Sequence, residues 1–437
     1  MSRKPRFVRP RAKPAAALPR SLEIDIVELG GRGDGIGHHE GQPVFVPGTV
    51  PGDRVVARVD GRKSDGLAAT CLHLLTAGPG RVTPVCGHFG ECGGCSVQHI
   101  EADRYKEWKR GQLVSALRRA GFGEELVAPM ICIAPGTRRR AAFAFLRRRA
   151  DLLLGFHARA SHQLADVTEC PLLAAPLLEL LPPLRVLLRE IVEDGRDGDA
   201  IVTLTENGLD VLIEAEARLD LFDRERLAAF AESIDLARLS WRRPGHGQIE
   251  PLAHRRPSLV RFAGISVDLP PGAFLQPSPE GEQALASLVF DAIGAGSPIA
   301  DLFAGCGSFT FPLAQKAFVH AVEGEPAAAQ ALKTAAEHSG ARVSVECRDL
   351  AHRPLLADEL KRFKAVLFDP PRVGAAAQTE QLAESGPPVV VAVSCNPATL
   401  ARDARTLARG GYRLIRATPV DQFPWSAHLE AVAVFER

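Results

Sequence analysis

No stretch of the 437-residue chain approaches the ~18 consecutive apolar residues of a membrane span. The opening MSRKPRFVRPRAKPAAALPR has no apolar core of the kind that marks a secretory signal, and it resembles a transit peptide only in being Arg-rich. A cytoplasmic protein with no membrane partner is the expectation. No internal repeat is present, and no low-complexity segment beyond the first 20 residues, so the chain is not a repeat array. The glycine turn at Gly305 and Gly307 lacks G-x-G-x-x-G, which argues against a bound dinucleotide. It also lacks the G-K-[ST] of a phosphate loop.

What is there is ordinary in bulk and uneven in detail. A chain of this length accommodates two to four domains. Hydrophobic residues make up 46% and charged residues 24%, as in soluble globular proteins. The net charge of +1 hides two basic blocks. Residues 1–20 carry seven Lys and Arg with no acid, and RRRAAFAFLRRR (138–149) carries six Arg with no acid. Such blocks suggest a polyanionic partner, or else a solubilising tail and a solvated strand.

Nine cysteines in a cytosolic chain do not imply disulfides. Three of them, Cys86, Cys92 and Cys95 in CGHFGECGGC, have metal-ligand spacing.

Short alternating strands broken by Gly, Pro and Asp fill residues 21–76, with GGRGDGIGHHEG as a loop between two of them. A small barrel of the kind that binds nucleic acid fits this pattern. Residues 1–20 read as a disordered basic tail. Residues 101–122 read as an amphipathic helix with Tyr105, Trp108, Leu113 and Leu117 on or near one face. Residues 130–270 mix strands with a Leu-rich helix near 171–193. From about residue 280, strands at 298–303, 318–323, 342–347, 364–368, 388–394, 412–419 and 429–435 alternate with helices. That alternation implies a doubly wound, Rossmann-like α/β domain.

In this domain DLFAGCGSFTFPLA is a strand, a glycine turn and a helix. Glu323 at the next strand tip is placed to bind ribose hydroxyls, and Asp349 after the third strand to meet an adenine edge. Adenosine without a phosphate clamp points to S-adenosylmethionine as the cofactor. Asp369 of Asp369-Pro370-Pro371-Arg372 then faces the reaction centre. The following strand delivers Cys395 in Ser394-Cys395-Asn396-Pro397.

A thiolate adding to carbon 6 of uracil makes carbon 5 nucleophilic toward a methyl sulfonium. A base must then remove the carbon-5 proton. Cys395 suits the first role, and Glu430 or His428 the second. Cys306 reads as packing in the turn, and Cys71, Cys132 and Cys347 as core.

The segments SCNPATLARD, HLE, DPPR and DLFAGCGSFTFPLA together resemble the RNA uracil-5-methyltransferase family, the TrmA/RumA group. The resemblance runs from about residue 21 to the C-terminus. It implies a TRAM domain, an OB-like RNA-binding barrel, at 21–76. A central α+β domain with a cluster-binding loop follows at 77–275, and a methyltransferase domain at 276–437. It selects Glu430 as the base beside Cys395 and places Asp369 near the methyl-transfer centre. It implies cofactor contacts from Gln276 (in AFLQP), Phe303, Ser308, Glu323, Asp349 and Asp369.

SHQLADVTECPLL resembles the segment that supplies a fourth cluster cysteine, here Cys170. From the residues alone, zinc and iron–sulfur both suit four thiolates. The resemblance implies a [4Fe–4S] cluster on Cys86, Cys92, Cys95 and Cys170.

This chain departs from the family's pattern at Ala304, Ser278, Ser308 and Asp349, which leaves individual hydrogen bonds to the structure. The target uracil has to be flipped out of folded RNA. The barrel, the two Arg runs and the tail would contact phosphates. The cluster cysteines favour 23S rRNA as substrate over the T-loop of tRNA, with the enzyme acting as a monomer. A radical methylthiotransferase would need C-x3-C-x2-C on a (β/α) barrel. A non-catalytic RNA-binding or folding protein would not need the chemical residues found here.

Overall fold

The computed structural model describes residues 20–245, 247–294 and 296–437. The basic tail expected at residues 1–20 falls, save Arg20, outside the described residues. The chain divides into two compact units, Met1–Val82 and Thr83–Arg437.

The first unit is one six-stranded sheet. Its order is Ser21–Asp25, Arg54–Lys63, Gly66–Thr76, Gln42–Val46, Gly35–His39, Glu28–Leu29. Alternation sets its inner face: Leu22 and Ile24 are buried while Ser21, Glu23 and Asp25 face out. They pack with Val44, Val46, Val55, Ala57 and Leu67. Three register shifts between Arg54–Lys63 and Gly66–Thr76 bend the sheet around that core.

The glycine-rich stretch is not wholly a loop. Gly35–His39 is a strand paired antiparallel with Gln42–Val46. Glu40 and Gly41 between them both take positive φ, 49° and 76°, as a two-residue hairpin turn requires.

The second unit holds two large sheets. One has seven strands in the order Leu164–Asp166, Asp151–His157, Arg140–Arg148, Asp197–Thr205, Gly208–Ala215, Arg238–Arg242, Ile249–His254. The Leu-rich segment is two helices, Ala175–Glu179 and Leu181–Ile191. Leu181, Leu184, Leu188 and Ile191 recur at helical spacing and pack on Phe143, Leu152 and Leu154.

The other sheet has eight strands. Its order is Val343–Cys347, Val319–Glu323, Ile299–Leu302, Ala365–Phe368, Val389–Ser394, Glu430–Glu436, Arg413–Asp421, Ile131–Cys132. The first five run parallel, and Glu430–Glu436 runs antiparallel to both of its neighbours. Strands covered on both faces read as continuous apolar runs, and all four residues of Ile299–Leu302 and of Ala365–Phe368 are buried. Strand order reverses between these two, which opens a crevice at their carboxyl ends.

The helix Ala102–Arg119 and the strand Ile131–Cys132 precede the seven-stranded sheet in sequence but pack with the eight-stranded one. Leu113 and Leu117 of that helix share a core with Leu400, Ala404 and Leu407. Ile131 and Cys132 pair with Val420 and Asp421.

Candidate active site

The strand Ile299–Leu302 ends in a turn of unusual backbone. Phe303, Gly305 and Gly307 all have positive φ, at 62°, 56° and 101°. A methyl group on Gly307 would lie 2.5 Å from Leu332 and 2.7 Å from Phe311, so glycine is required there. The Glu323 carboxylate holds the turn, accepting the Gly305 N–H at 2.7 Å and the Glu325 N–H at 2.7 Å. A non-glycine residue held left-handed, as Phe303 is, concentrates at functional sites.

Over this turn lies a cavity of about 810 Å³. It brings together Gln276, Phe303, Ser308, Glu323, Asp369, Cys395 and Glu430 from the sequence expectations. Ser278 lies behind Gln276 and caps the helix Pro279–Ala292 by accepting the Gly281 N–H. Asp349 is not among the lining residues. Its carboxylate serves its own loop, accepting the Ala351 N–H at 2.9 Å and sitting 2.7 Å from His352 Nδ1.

Cys395 stands between the strand Val389–Ser394 and the helix Pro397–Arg409. The Asn-Pro that follows it starts that helix. Asn396 accepts the Ala398 N–H at 3.0 Å, and Pro397 occupies the first turn. Burial, with the Glu430 and Asp369 carboxylates adding, pushes the thiol up to about 11. The Arg372 guanidinium and Cys395's own N–H work in the opposite direction.

Glu430 opens the strand antiparallel to Val389–Ser394, the strand that ends just before Cys395, and it is 5% exposed. Burial and the Asp369 carboxylate hold its carboxyl well above the usual range, while a Gln422 hydrogen bond lowers it. Burial likewise raises Asp369. Asp301, behind the turn, is pushed up to about 7 by burial, against a hydrogen bond from Thr310. Asp369 and Glu430 line the cavity and Asp301 lies behind it, so a cation bound there would favour their ionised forms.

Gln422 was not legible as a site residue. It is 4% exposed and donates to Gln276 Oε1 at 2.8 Å, while Gln276 Nε2 donates to Asp369 Oδ2 at 3.4 Å. Its only sequence signal is a polar residue immediately after a strand.

A second cavity, of about 520 Å³, is lined by Cys86, Cys92, Cys95 and Cys170, and by His428. Burial pushes the Cys95 thiol up to about 12, with the other three cysteines adding. Among the described residues, no three His, Cys, Asp or Glu side chains converge as ligands of one metal ion would. Cys395 and Arg372 line both cavities.

The two Arg runs lie at the opposite ends of one strand, Arg140–Arg148. Arg138 and Arg140 line the cysteine cavity. Arg139 points away and pairs with Glu282 at 2.7 Å, both side chains 11% exposed. Arg148 and Arg149 are exposed.

Comparisons with known proteins bear on this arrangement. Residues 265–437 match the family model described as tRNA (Uracil-5-)-methyltransferase, and residues 20–70 match the TRAM domain. A Brucella suis protein named as an uncharacterized RNA methyltransferase is 42% identical, over 95% of this chain and 98% of its own length. The 23S rRNA (uracil(1939)-C(5))-methyltransferase RlmD of Aeromonas salmonicida is 34% identical over 99% of both chains. The Pyrococcus abyssi tRNA (uracil-54, C5)-methyltransferase, solved with S-adenosyl-L-homocysteine, superposes with a TM-score of 0.75 at 23% identity. That superposition covers 95% of this chain and all of the other.

Proposed function

Since the chain belongs to the RNA uracil-5-methyltransferase family, we propose that Cys395, Glu430 and Asp369 carry out its S-adenosylmethionine-dependent methylation of uridine carbon 5, with 23S rRNA as the substrate. One observation carries the assignment of residues. Cys395 is shared by two cavities, and the acidic one places Glu430 and Asp369 on the same lining.

S-adenosylmethionine, when bound over the glycine turn, supplies the electrophilic methyl group. Gln276, Phe303, Ser308 and Glu323 would hold it. The Cys395 thiolate adds to carbon 6 of a flipped uracil, and the electron pair displaced from the 5,6 double bond makes carbon 5 nucleophilic. Carbon 5 takes the methyl group, whose bond to the donor sulfur breaks with the electron pair left on that sulfur. The Glu430 carboxylate then removes the carbon-5 proton, the double bond re-forms, and the Cys395 sulfur leaves as thiolate. Asp369 stabilises the positive charge carried by the methyl donor. Arg372 favours the thiolate before addition and after release.

The four cavity cysteines suit a [4Fe–4S] cluster. One thiolate would bind each iron, and the cavity offers the room. Cys86, Cys92, Cys95 and Cys170 would hold the cluster as a cross-link between the cysteine loop and the segment after Asp166. The half-buried Arg138 lines the same cavity; burial pulls its guanidinium down, and thiolates at Cys170 and Cys95 would favour its cationic form. The barrel of the first unit would bind RNA, and the enzyme would act as a monomer in the cytoplasm. Among the described residues, no helix is long and apolar enough to cross a membrane.

The experiment is nucleoside mass spectrometry on separated 23S rRNA and tRNA from cells lacking the gene, complemented with wild type or Cys395→Ala. Loss of 5-methyluridine from 23S rRNA, restored only by wild type, supports both substrate and nucleophile. Loss from tRNA alone keeps the chemistry and overturns the substrate.

A further inference from the structure

We propose that Gln422 is a positioning residue for Glu430, holding its carboxylate in the orientation and charge state that removes the carbon-5 proton; the proposal rests on the methyl-transfer reading above. Gln422 follows the strand Arg413–Asp421, whose Val420 pairs directly with Glu430. The amide is therefore delivered beside the carboxylate by sheet register. Its N–H edge donates to Gln276 Oε1 at 2.8 Å, and hydrogen bonding from Gln422 pulls the Glu430 carboxyl down against burial and Asp369. Gln276 in turn donates to Asp369, so two glutamine amides bridge the two acids.

The other edge of the amide is bare. Gln422 Oε1 is buried and has no hydrogen-bond partner. A buried carbonyl without a donor is destabilising and calls for an explanation. Turning the amide over would set that oxygen against Gln276 Oε1 and the Glu430 carboxylate. The orientation is thus fixed by the site's two acceptors, at the expense of the oxygen.

The groups around Glu430 make its charge state sensitive to this donor. Asp369 opposes ionisation from the tip of Ala365–Phe368, the strand beyond Val389–Ser394. Arg372 and Cys395 line the same cavity, and the buried Asp301 acid lies behind the turn and is itself opposed by Asp369. His428, two residues before Glu430, faces the cysteine cavity and is held toward its neutral form by burial, Arg372, Lys109 and Arg138. Gln422 is a neutral donor spent on the carboxylate, and a donor to a carboxylate favours its ionised form. Once uracil is bound through sulfur, Cys395 is a thioether and no longer titrates. The lifetime of the methylated adduct then reports on Glu430 with Asp369.

The test uses full-length protein, an unmodified 23S rRNA transcript and methyl-labelled S-adenosylmethionine. The labelled protein–RNA adduct is trapped at short times, and its decay is followed across pH after dilution into unlabelled cofactor. Gln422→Met keeps the side chain's length and removes the amide. Its adduct is expected to outlive the wild type's by roughly tenfold at neutral pH, with the difference closing as pH rises.

Lifetimes matching wild type at every pH overturn the proposal. So does lengthening by one constant factor at every pH, which is what displaced packing alone would give. Decay is counted only on molecules that have reacted, so a variant that folds incompletely still reports, and Gln422→Leu repeats the measurement with a smaller side chain. A wild type that labels neither this transcript nor a tRNA transcript sinks the parent reading, and the proposal with it.

Discussion

Lys109 and Asp421 form an ion pair that solvent does not reach, their side chains 0% and 3% exposed. Lys109 also donates to Tyr105 Oη at 3.0 Å and to the Phe423 carbonyl at 2.8 Å. The Trp425 N–H donates to Tyr105 Oη at 3.0 Å, and the Trp425 carbonyl accepts the Ser96 and Val97 N–H groups at 2.8 and 3.1 Å. The helix Ala102–Arg119 thus holds the loop between Asp421 and Glu430, and that loop holds the cysteine segment. Trp425 itself has φ of 57°, a conformation a non-glycine residue keeps only when its surroundings enforce it.

Breaking that pair leaves an uncompensated buried charge. Lys109→Met is expected to cost about 3–5 kcal/mol of stability. Denaturant unfolding of purified protein measures it. A loss under about 1 kcal/mol would show that the pair does not anchor the loop.

The nucleophile and the base separate in what they leave behind. Cys395→Ser should form no lasting RNA adduct and lose at least about 10³-fold in turnover. Glu430→Gln should add to uracil and accept the methyl group but fail to release, so labelled RNA stays attached to protein on a denaturing gel. Free product from Glu430→Gln at the wild-type rate would assign the base elsewhere.

Cofactor preference should depend on pH. Asp301, Asp369 and Glu430 all have carboxyls raised by burial, so they gain charge only as pH rises through and past neutrality. Ionised carboxylates favour the sulfonium cation of S-adenosylmethionine over neutral S-adenosylhomocysteine. From about pH 6 to about pH 9 the ratio of their affinities should move toward the cation by roughly tenfold. Calorimetric titration of both ligands at each pH reads the ratio directly. A ratio that stays flat would mean these carboxyls do not titrate beside the sulfonium.

Anaerobically purified protein should carry iron and inorganic sulfide in about equal amounts, near four of each per chain. Cys95→Ala should lose both along with the visible absorbance. Zinc in their place, at about one per chain, would overturn the iron–sulfur reading.

The C-terminal sheet was readable because each strand is short, apolar and punctuated, and because buried parallel strands leave that pattern directly. Cys395, Glu323 and Asp369 were readable because they sit at strand tips, where position implies direction. Arg139 was not. It lies in a run of three arginines, and what separates it from its neighbours is Glu282, 143 positions along the chain. The hairpin at Gly35–His39 was missed because glycine composition outweighed the two-residue turn that follows it. Gln422 was missed because a single buried amide leaves no periodic trace. The packing of Ala102–Arg119 and Ile131–Cys132 with the later sheet is a long-range choice that local pattern does not encode.

Cys395 and Arg372 are the two residues common to both cavity linings. The nucleophile is therefore a partition with a room on each side. Whatever fills either room bears on the same sulfur, so a change in the cysteine room and a change in the acidic one meet at a single wall.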